Sequence, residues 1–141
     1  MIIDAMINKP LQGFSYSPAF FQELTHSALA HAKKLGATDA ASEASEGCGL
    51  SVSARLGELE NVERNRDKSL GVTVYVGQRR GNASTSDFSD SAVKQTVQAA
   101  FDIARFTAAD DMAGLPSIGD YAKFKNGKQP DFDLFHPWDL T

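Results

Sequence analysis

The side chains of this 141-residue chain whose types could do chemistry are three histidines, one cysteine, a run of glutamates and a pair of adjacent arginines. His26 and His31 are five residues apart. On a helix of 3.6 residues per turn they point about 140° from each other, so they cannot share one ion and read as solvent-facing side chains. His136, beside Pro137 in a tail, reads as a packing contact. Cys48 lies between Gly47 and Gly49, where a nucleophile would need a base and an electropositive site. Its neighbours Glu43 and Glu46 disfavour a thiolate, and a small, half-buried thiol is the expectation. Gly47-Cys48-Gly49 is a bare G-x-G with neither the rest of a dinucleotide fingerprint nor a Walker pattern. Ser84-Thr85-Ser86 lacks a partnered base. Glu58, Glu60 and Glu63 resemble paired carboxylates for hydrolysis, but with Arg55, Arg64 and Arg66 nearby a solvated, ion-paired sheet face fits them better. Arg79-Arg80-Gly81 is a basic turn that could receive a carboxylate or phosphate, or simply keep a hairpin soluble. No catalytic residue and no metal ligand is assigned.

The elements that must position these groups centre on residues 49–85, read as an antiparallel meander of three or four strands. Leu50, Val52, Ala54 and Leu56 alternate with polar residues, the period of a half-buried strand, and Gly57 marks a turn. The return run Glu58 to Arg66 alternates less regularly. Leu59 and Val62 are three apart and share a face only if a bulge intervenes, which predicts an edge or bulged strand. Asp67, Lys68 and Ser69 are expected to form the next turn, before strict alternation resumes at Leu70, Val72, Val74 and Val76. Gly77, Gln78 and Arg79 reverse the chain again, and Gly81, Ala83 and Thr85 bring small side chains to the last strand.

Two helices flank the meander. Ser17 caps the first, Pro18 suits its first position, and Tyr16 can pack on Phe21 as a staple. Phe21, Leu24, Ala28, Ala32 and Leu35 form one apolar stripe, and Gly36 stops it behind Lys33 and Lys34. Ser89 caps the second helix, with Phe88 and Val93 as its staple and Val93, Val97, Ala100, Ile103 and Ala104 turned to the sheet. Asp39 to Gly47 has low strand propensity but a position that invites a strand leading into the meander. The fold class is α+β, a two-layer domain with both helices on one face of an antiparallel sheet. Residues 1–15 read as a loose N-terminal arm, 16–115 as the domain, and 116–141 as a linker toward a C-terminal domain missing from this segment.

Composition narrows the function. One cysteine allows no internal disulfide, and no apolar run has the length of a bilayer span or the layout of a secretory signal, so a cytoplasmic setting away from membranes is expected. A net charge of −4 argues against direct nucleic-acid binding. The residues describe a domain that docks a peptide or partner.

Across the meander and second helix the sequence resembles the PmbA (TldE) branch of the TldD/PmbA metallopeptidases, also described as modulators of DNA gyrase. The resemblance rests on Gly49-Leu-Ser-Val-Ser-Ala-Arg55-Leu-Gly57-Glu-Leu-Glu60-Asn-Val-Glu63, then Leu70-Gly-Val-Thr-Val-Tyr75, then Arg80-Gly81-Asn-Ala-Ser84-Thr-Ser86-Asp87. It continues through Thr96-Val-Gln-Ala-Ala100-Phe-Asp-Ile-Ala-Arg105 to Asp131-Phe-Asp-Leu-Phe-His136-Pro137. The order and spacing of these segments carry it. It implies an N-terminal domain of a longer subunit, assembled with a TldD-like subunit into a complex that admits unfolded peptides to an enclosed chamber. Maturation of a peptide antibiotic and turnover of an antitoxin are the implied roles. Zinc is implied only in the TldD-like partner, whose H-E-x-x-x-H motif has no counterpart here. The arm before Ser17 and the stretch from Ala122 to Gln129 have no place in the resemblance.

Two functions are thereby expected. In the first, the sheet binds an extended peptide or the partner subunit by strand addition along Glu58, Glu60, Val62, Arg64 and Arg66, with Arg79 and Arg80 as electrostatic guides. In the second, the domain acts without proteolysis on the gyrase or toxin–antitoxin system.

Overall fold

The computed structural model describes residues 8–124, 132–134 and 136. Helix α1 spans Pro18–Leu35 and helix α2 Asp90–Phe106; between them run β1 (Asp39–Arg55), β2 (Glu58–Val76) and β3 (Arg79–Thr85). The strands form one antiparallel sheet in the order β1-β2-β3. A short 3₁₀ turn, Ile118–Asp120, follows α2. This is the expected α+β architecture.

Both helices begin and end where their capping residues dictate. The Ser17 hydroxyl accepts from the Phe20 N–H, Pro18 takes the first helical position, and Gly36 adopts a left-handed φ of 94° that only glycine reaches without strain. The Gly36 and Ala37 N–H groups then donate to the Lys33 and Ala32 carbonyls, satisfying the end of α1. Ser89 caps α2 by accepting from the Ala92 N–H. Asp87 in turn accepts from the Ser89 N–H at 2.9 Å, and these bonds, with Lys68 nearby, hold the Asp87 carboxyl below the usual carboxylate range.

The core lies between one sheet face and the two helices. Leu70, Val72 and Val74 of β2 meet Leu24, Ala28 and Ala32 of α1 and Val93, Val97, Ala100 and Ala104 of α2. Leu70, Val74 and Val97 are wholly enclosed, and burying each such side chain contributes about 1.5–3 kcal/mol. Thr96, unremarked in the apolar pattern, is also buried, its hydroxyl donating to the Ala92 carbonyl. Ile103, expected on the sheet face, is instead 47% exposed. Gly81 lets β3 approach α2 so closely that the Ala100, Ile103 and Ala104 positions ride directly over it.

The strands depart from the sequence expectation in one informative way. Asp67, Lys68 and Ser69 do not turn; β2 runs unbroken through them, paired to Gly47, Glu46 and Ser45 of an equally long β1. The physical reason lies in β1. The stretch Asp39 to Gly47, poor in strand propensity, supplies a continuous ladder, and tertiary pairing outweighs the turn chemistry of a three-residue polar run. Gly47 and Gly49 assist, because the Asp67 and Asn65 side chains fold over them where a Cβ would stand. The sheet therefore has two long strands and one short one, and β1 and β2 extend past the helices as a two-stranded ribbon.

The ribbon ends in the tight turn Arg55-Leu56-Gly57-Glu58, in which both Leu56 (φ 54°) and Gly57 (φ 84°) are left-handed. Positive φ at both central residues is the primed geometry that matches strand twist. Just before it the register slips, so that Ser53 faces Asn61 and Ala54 faces Leu59, leaving Glu60 as the extra residue of a β-bulge. This is the bulge that Leu59 and Val62 require to share a face.

Candidate peptide-binding edge

From Leu70 to Val76, β2 is flanked on both sides; from Glu58 to Ser69, among the described residues, it pairs with β1 alone. The outer edge of that segment, collinear with β3, leaves backbone N–H and C=O groups without a strand partner, which is the geometry an extended peptide uses to join a sheet. The segment is thus both bulged and an edge, while the rest of its strand is central.

Residues directly opposite in a ladder point to the same face. Counting back from the buried Leu70, the core-side face of the ribbon carries Lys68, Arg66, Arg64, Val62 and, past the bulge, Leu59, with Glu46, Cys48, Leu50, Val52 and Ala54 opposite them. The other face carries Asp67, Asn65, Glu63 and Asn61, facing Gly47, Gly49, Ser51 and Ser53.

The bulge separates the charged residues that simple alternation would have gathered. Arg64 and Arg66 lie on the core-side face, whereas Glu60, at the extra position, pairs with Arg55 at 3.5 Å in an exposed ion pair worth little in water. Glu58 closes the turn opposite Arg55, and Glu63 accepts from the Asn61 side chain at 3.0 Å. Val62 faces Val52. Arg79 and Arg80 stand at the other end of β2: Arg80 faces Tyr75, and Arg79 donates to the Arg105 carbonyl at the end of α2, at 3.0 Å. At ~3.3 Å per residue, the nine-residue interval from Arg66 to Tyr75 is about 30 Å. The two groups therefore lie at opposite ends of β2, with Arg79 bonded to the end of α2.

The structure also shows a group that sequence reasoning missed. Arg66 donates to the Ser15 hydroxyl at 2.8 Å and to the Gly13 carbonyl, while Glu46 accepts from the Ser15 N–H at 2.9 Å and the Tyr16 N–H at 3.1 Å. Lys68 donates to the Tyr16 hydroxyl at 2.8 Å and sits over the Phe88 ring, within an aromatic cluster of Tyr16, Phe20, Phe21 and Phe88. Residues 13–15, expected to be loose, are therefore strapped, together with Tyr16, to the base of the ribbon. Residues 1–7 of the expected arm lie outside the described residues. Partners some fifty residues apart leave no local signal; only the Tyr16–Phe21 staple, with ring centroids 5.8 Å apart, was visible as a motif.

The strap shapes two open clefts. One, of about 340 Å3, is lined by Leu11, Phe14, Tyr16, Pro18, Phe21 and Glu46; the other, of about 610 Å3, by Gly13, Cys48, Leu50, Arg64 and Arg66. Cys48 is exposed rather than half-buried, because it sits on the ribbon beyond the cover of the helices. His26 is exposed and His31 partly so. Among the described residues no group of three or more His, Cys, Asp or Glu side chains could hold a metal ion, and no helix is long and apolar enough to cross a membrane.

What these features define is a small α+β domain that presents a long ribbon with one free edge. The family model described as PmbA/TldA metallopeptidase domain 1 matches residues 43–104, from the middle of β1 to the end of α2. The chain is 52% identical over 92 residues to the metalloprotease PmbA homolog of Haemophilus influenzae, covering 65% of this chain and 20% of that protein. It is 46% identical over 113 residues to metalloprotease PmbA of Escherichia coli O157:H7, covering 80% of this chain and 24% of that protein. The fold is also that of a proposed modulator of DNA gyrase from Bacteroides thetaiotaomicron (TM-score 0.68, 23% identity, 78% of this chain and 24% of that one). TldE from Thermococcus kodakarensis shares it at a TM-score of 0.55 and 17% identity, over 82% of this chain and 25% of that one. The chain belongs to the PmbA/TldD family, as its N-terminal domain. It spans about a fifth to a quarter of the length of the curated relatives it matches.

Proposed function

We propose that this domain serves a PmbA-like subunit of a cytoplasmic zinc metallopeptidase complex, helping to admit unfolded peptides and to assemble with a TldD-like subunit. The observation that carries the reading is the free edge of β2 from Glu58 to Ser69, in line with β3. Backbone hydrogen bonds along such an edge bind extended chains with little regard to sequence, which suits a complex that processes unfolded substrates such as a peptide-antibiotic precursor or an antitoxin. No residue of this chain is assigned to catalysis or to zinc; the metal belongs to the TldD-like partner. Arg64 and Arg66 flank the edge and favour a peptide with acidic side chains there. A direct, non-proteolytic action on gyrase has for support only the description of one structural neighbour, whose likeness carries the fold alone.

The test is peptide capture by the assembled complex carrying Val62→Pro or Glu63→Pro. Successive N–H groups on a strand point to opposite sides, so one of the two prolines falls on the free edge and the other on the β1 ladder. The edge variant should lose capture while melting close to the unmodified protein. If both variants capture peptide undiminished, strand addition at this edge is wrong.

A further inference from the structure

If peptides join the edge of β2 as proposed above, on which this inference rests, their side chains fall alternately beside the two rows of side chains along β2, because residues directly opposite in a ladder share a face. At the base of the ribbon the core-side row is already taken. Lys68 donates to the Tyr16 hydroxyl, and Arg66 to the Ser15 hydroxyl and the Gly13 carbonyl. Arg64 differs from both: it is exposed, and among the described residues it has no hydrogen-bond or ion-pair partner. Further toward the tip the same row carries Val62, 51% exposed, and Leu59, 67% exposed. On the other row Glu63 stands between Arg64 and Val62, itself exposed and bonded to the neutral Asn61 side chain. The middle of the edge therefore presents a cation, an anion and an apolar side chain at three successive residues.

The direction of a bound strand follows from β3. That strand joins the same side of β2, runs antiparallel to it, and ends at Thr85 beside Leu70, where the free edge begins. A peptide running the same way continues the ladder, and antiparallel pairing is slightly the more stable per residue. Its N-terminal end then lies by Ser69, and it meets Arg64, Glu63 and Val62 in that order. We propose that the edge selects extended segments in which an acidic, a basic and an apolar residue follow one another from the N-terminus, held antiparallel to β2. Opposite charges across a ladder attract and like charges repel, so each of the first two positions discriminates. Val62, with Leu59 beyond it, draws the apolar side chain out of water. A segment lying parallel to β2 would need the reverse order.

The test compares two labelled peptides of one composition, Ser-Thr-Glu-Lys-Val-Thr-Ser and its reversal Ser-Thr-Val-Lys-Glu-Thr-Ser, by fluorescence anisotropy with the assembled complex, a chelator being present to stop cleavage. The first should bind about fivefold tighter than the second. In Arg64→Glu, checked for folding by circular dichroism, that preference should disappear, and a peptide with lysine in place of the glutamate should bind better than the original. Equal binding of the two orders, or a preference that Arg64→Glu leaves unaltered, would overturn the selection of order while strand addition stands. Tighter binding of the reversed peptide would assign the parallel direction and likewise overturn it. Binding of neither peptide, or binding undiminished by both Val62→Pro and Glu63→Pro, would overturn strand addition and this selectivity together.

Discussion

Gly81 of β3 lies against the backbone of α2 so closely that a Cβ on it would collide with the Ala100 carbonyl oxygen and come within 2.5 Å of the Ala104 nitrogen. Both are backbone atoms of a regular helix and cannot step aside as a flexible side chain would. Gly81→Ala should therefore destabilise the domain by about 3 kcal/mol, the upper end of what overpacking costs. Gly71 provides the contrast. It occupies the uncovered face of the same sheet, and the nearest atom to a new Cβ is the Glu43 carbonyl oxygen at 3.9 Å, an ordinary contact. Gly71→Ala should leave stability unchanged or raise it by up to about 1 kcal/mol. Urea unfolding of the two variants checks the pair.

Arg66 joins the N-terminal strap to the ribbon through the Ser15 hydroxyl and the Gly13 carbonyl. Arg66→Met keeps the aliphatic stem and removes the donors. Because the contact is exposed, the loss in global stability should be about 1 kcal/mol or less. The local effect should be larger: limited proteolysis between residues 8 and 16 should accelerate several-fold while the core around Leu70 stays resistant. Equal cleavage rates in both proteins would show that Glu46 and the aromatic cluster hold the strap without Arg66.

The Asp87 carboxyl is held below its ordinary value by its bonds to the Ser89 N–H and hydroxyl, with Lys68 adding a smaller attraction. A depressed carboxyl contributes stability that is fully present above its unfolded pKa and is lost as pH falls through the folded value. Asp87→Asn should therefore be less stable than the unmodified protein at neutral pH, and the difference should vanish in acid, below the ordinary aspartate range. Paired denaturation curves at pH 7 and under acid conditions measure it. A difference that persists unchanged in acid would assign the effect to geometry instead of charge.

Much of the fold is written in local residue choices. Ser17, Pro18, Gly36 and Ser89 mark helix boundaries because a cap acts within one turn, and the alternation of Leu70 to Val76 marks the central strand because its period is set by the pleat. The need for a bulge was legible from Leu59 and Val62 alone. What was not legible depends on pairing at a distance. The run Asp67-Lys68-Ser69 looks like a turn until Glu46 and Gly47 are known to lie beside it. The strap from Ser15 to Arg66 spans 51 residues and leaves no periodicity behind. Of the candidate site, Glu58 to Arg66 does form an open edge, while Arg79 bonds to the end of α2 and Arg80 faces Tyr75, at the other end of β2.

The proposal that these residues are the peptide-admitting domain of a peptidase subunit can be tested at the native locus. The most direct test is to tag the N-terminus at the native locus, then measure the mass of the product and its partners' activity on an unfolded peptide. The account predicts a polypeptide several times larger than the 15.2 kDa of this chain, recovered with chelator-sensitive cleavage of the peptide. A product of 15.2 kDa that recovers no peptidase activity would contradict it.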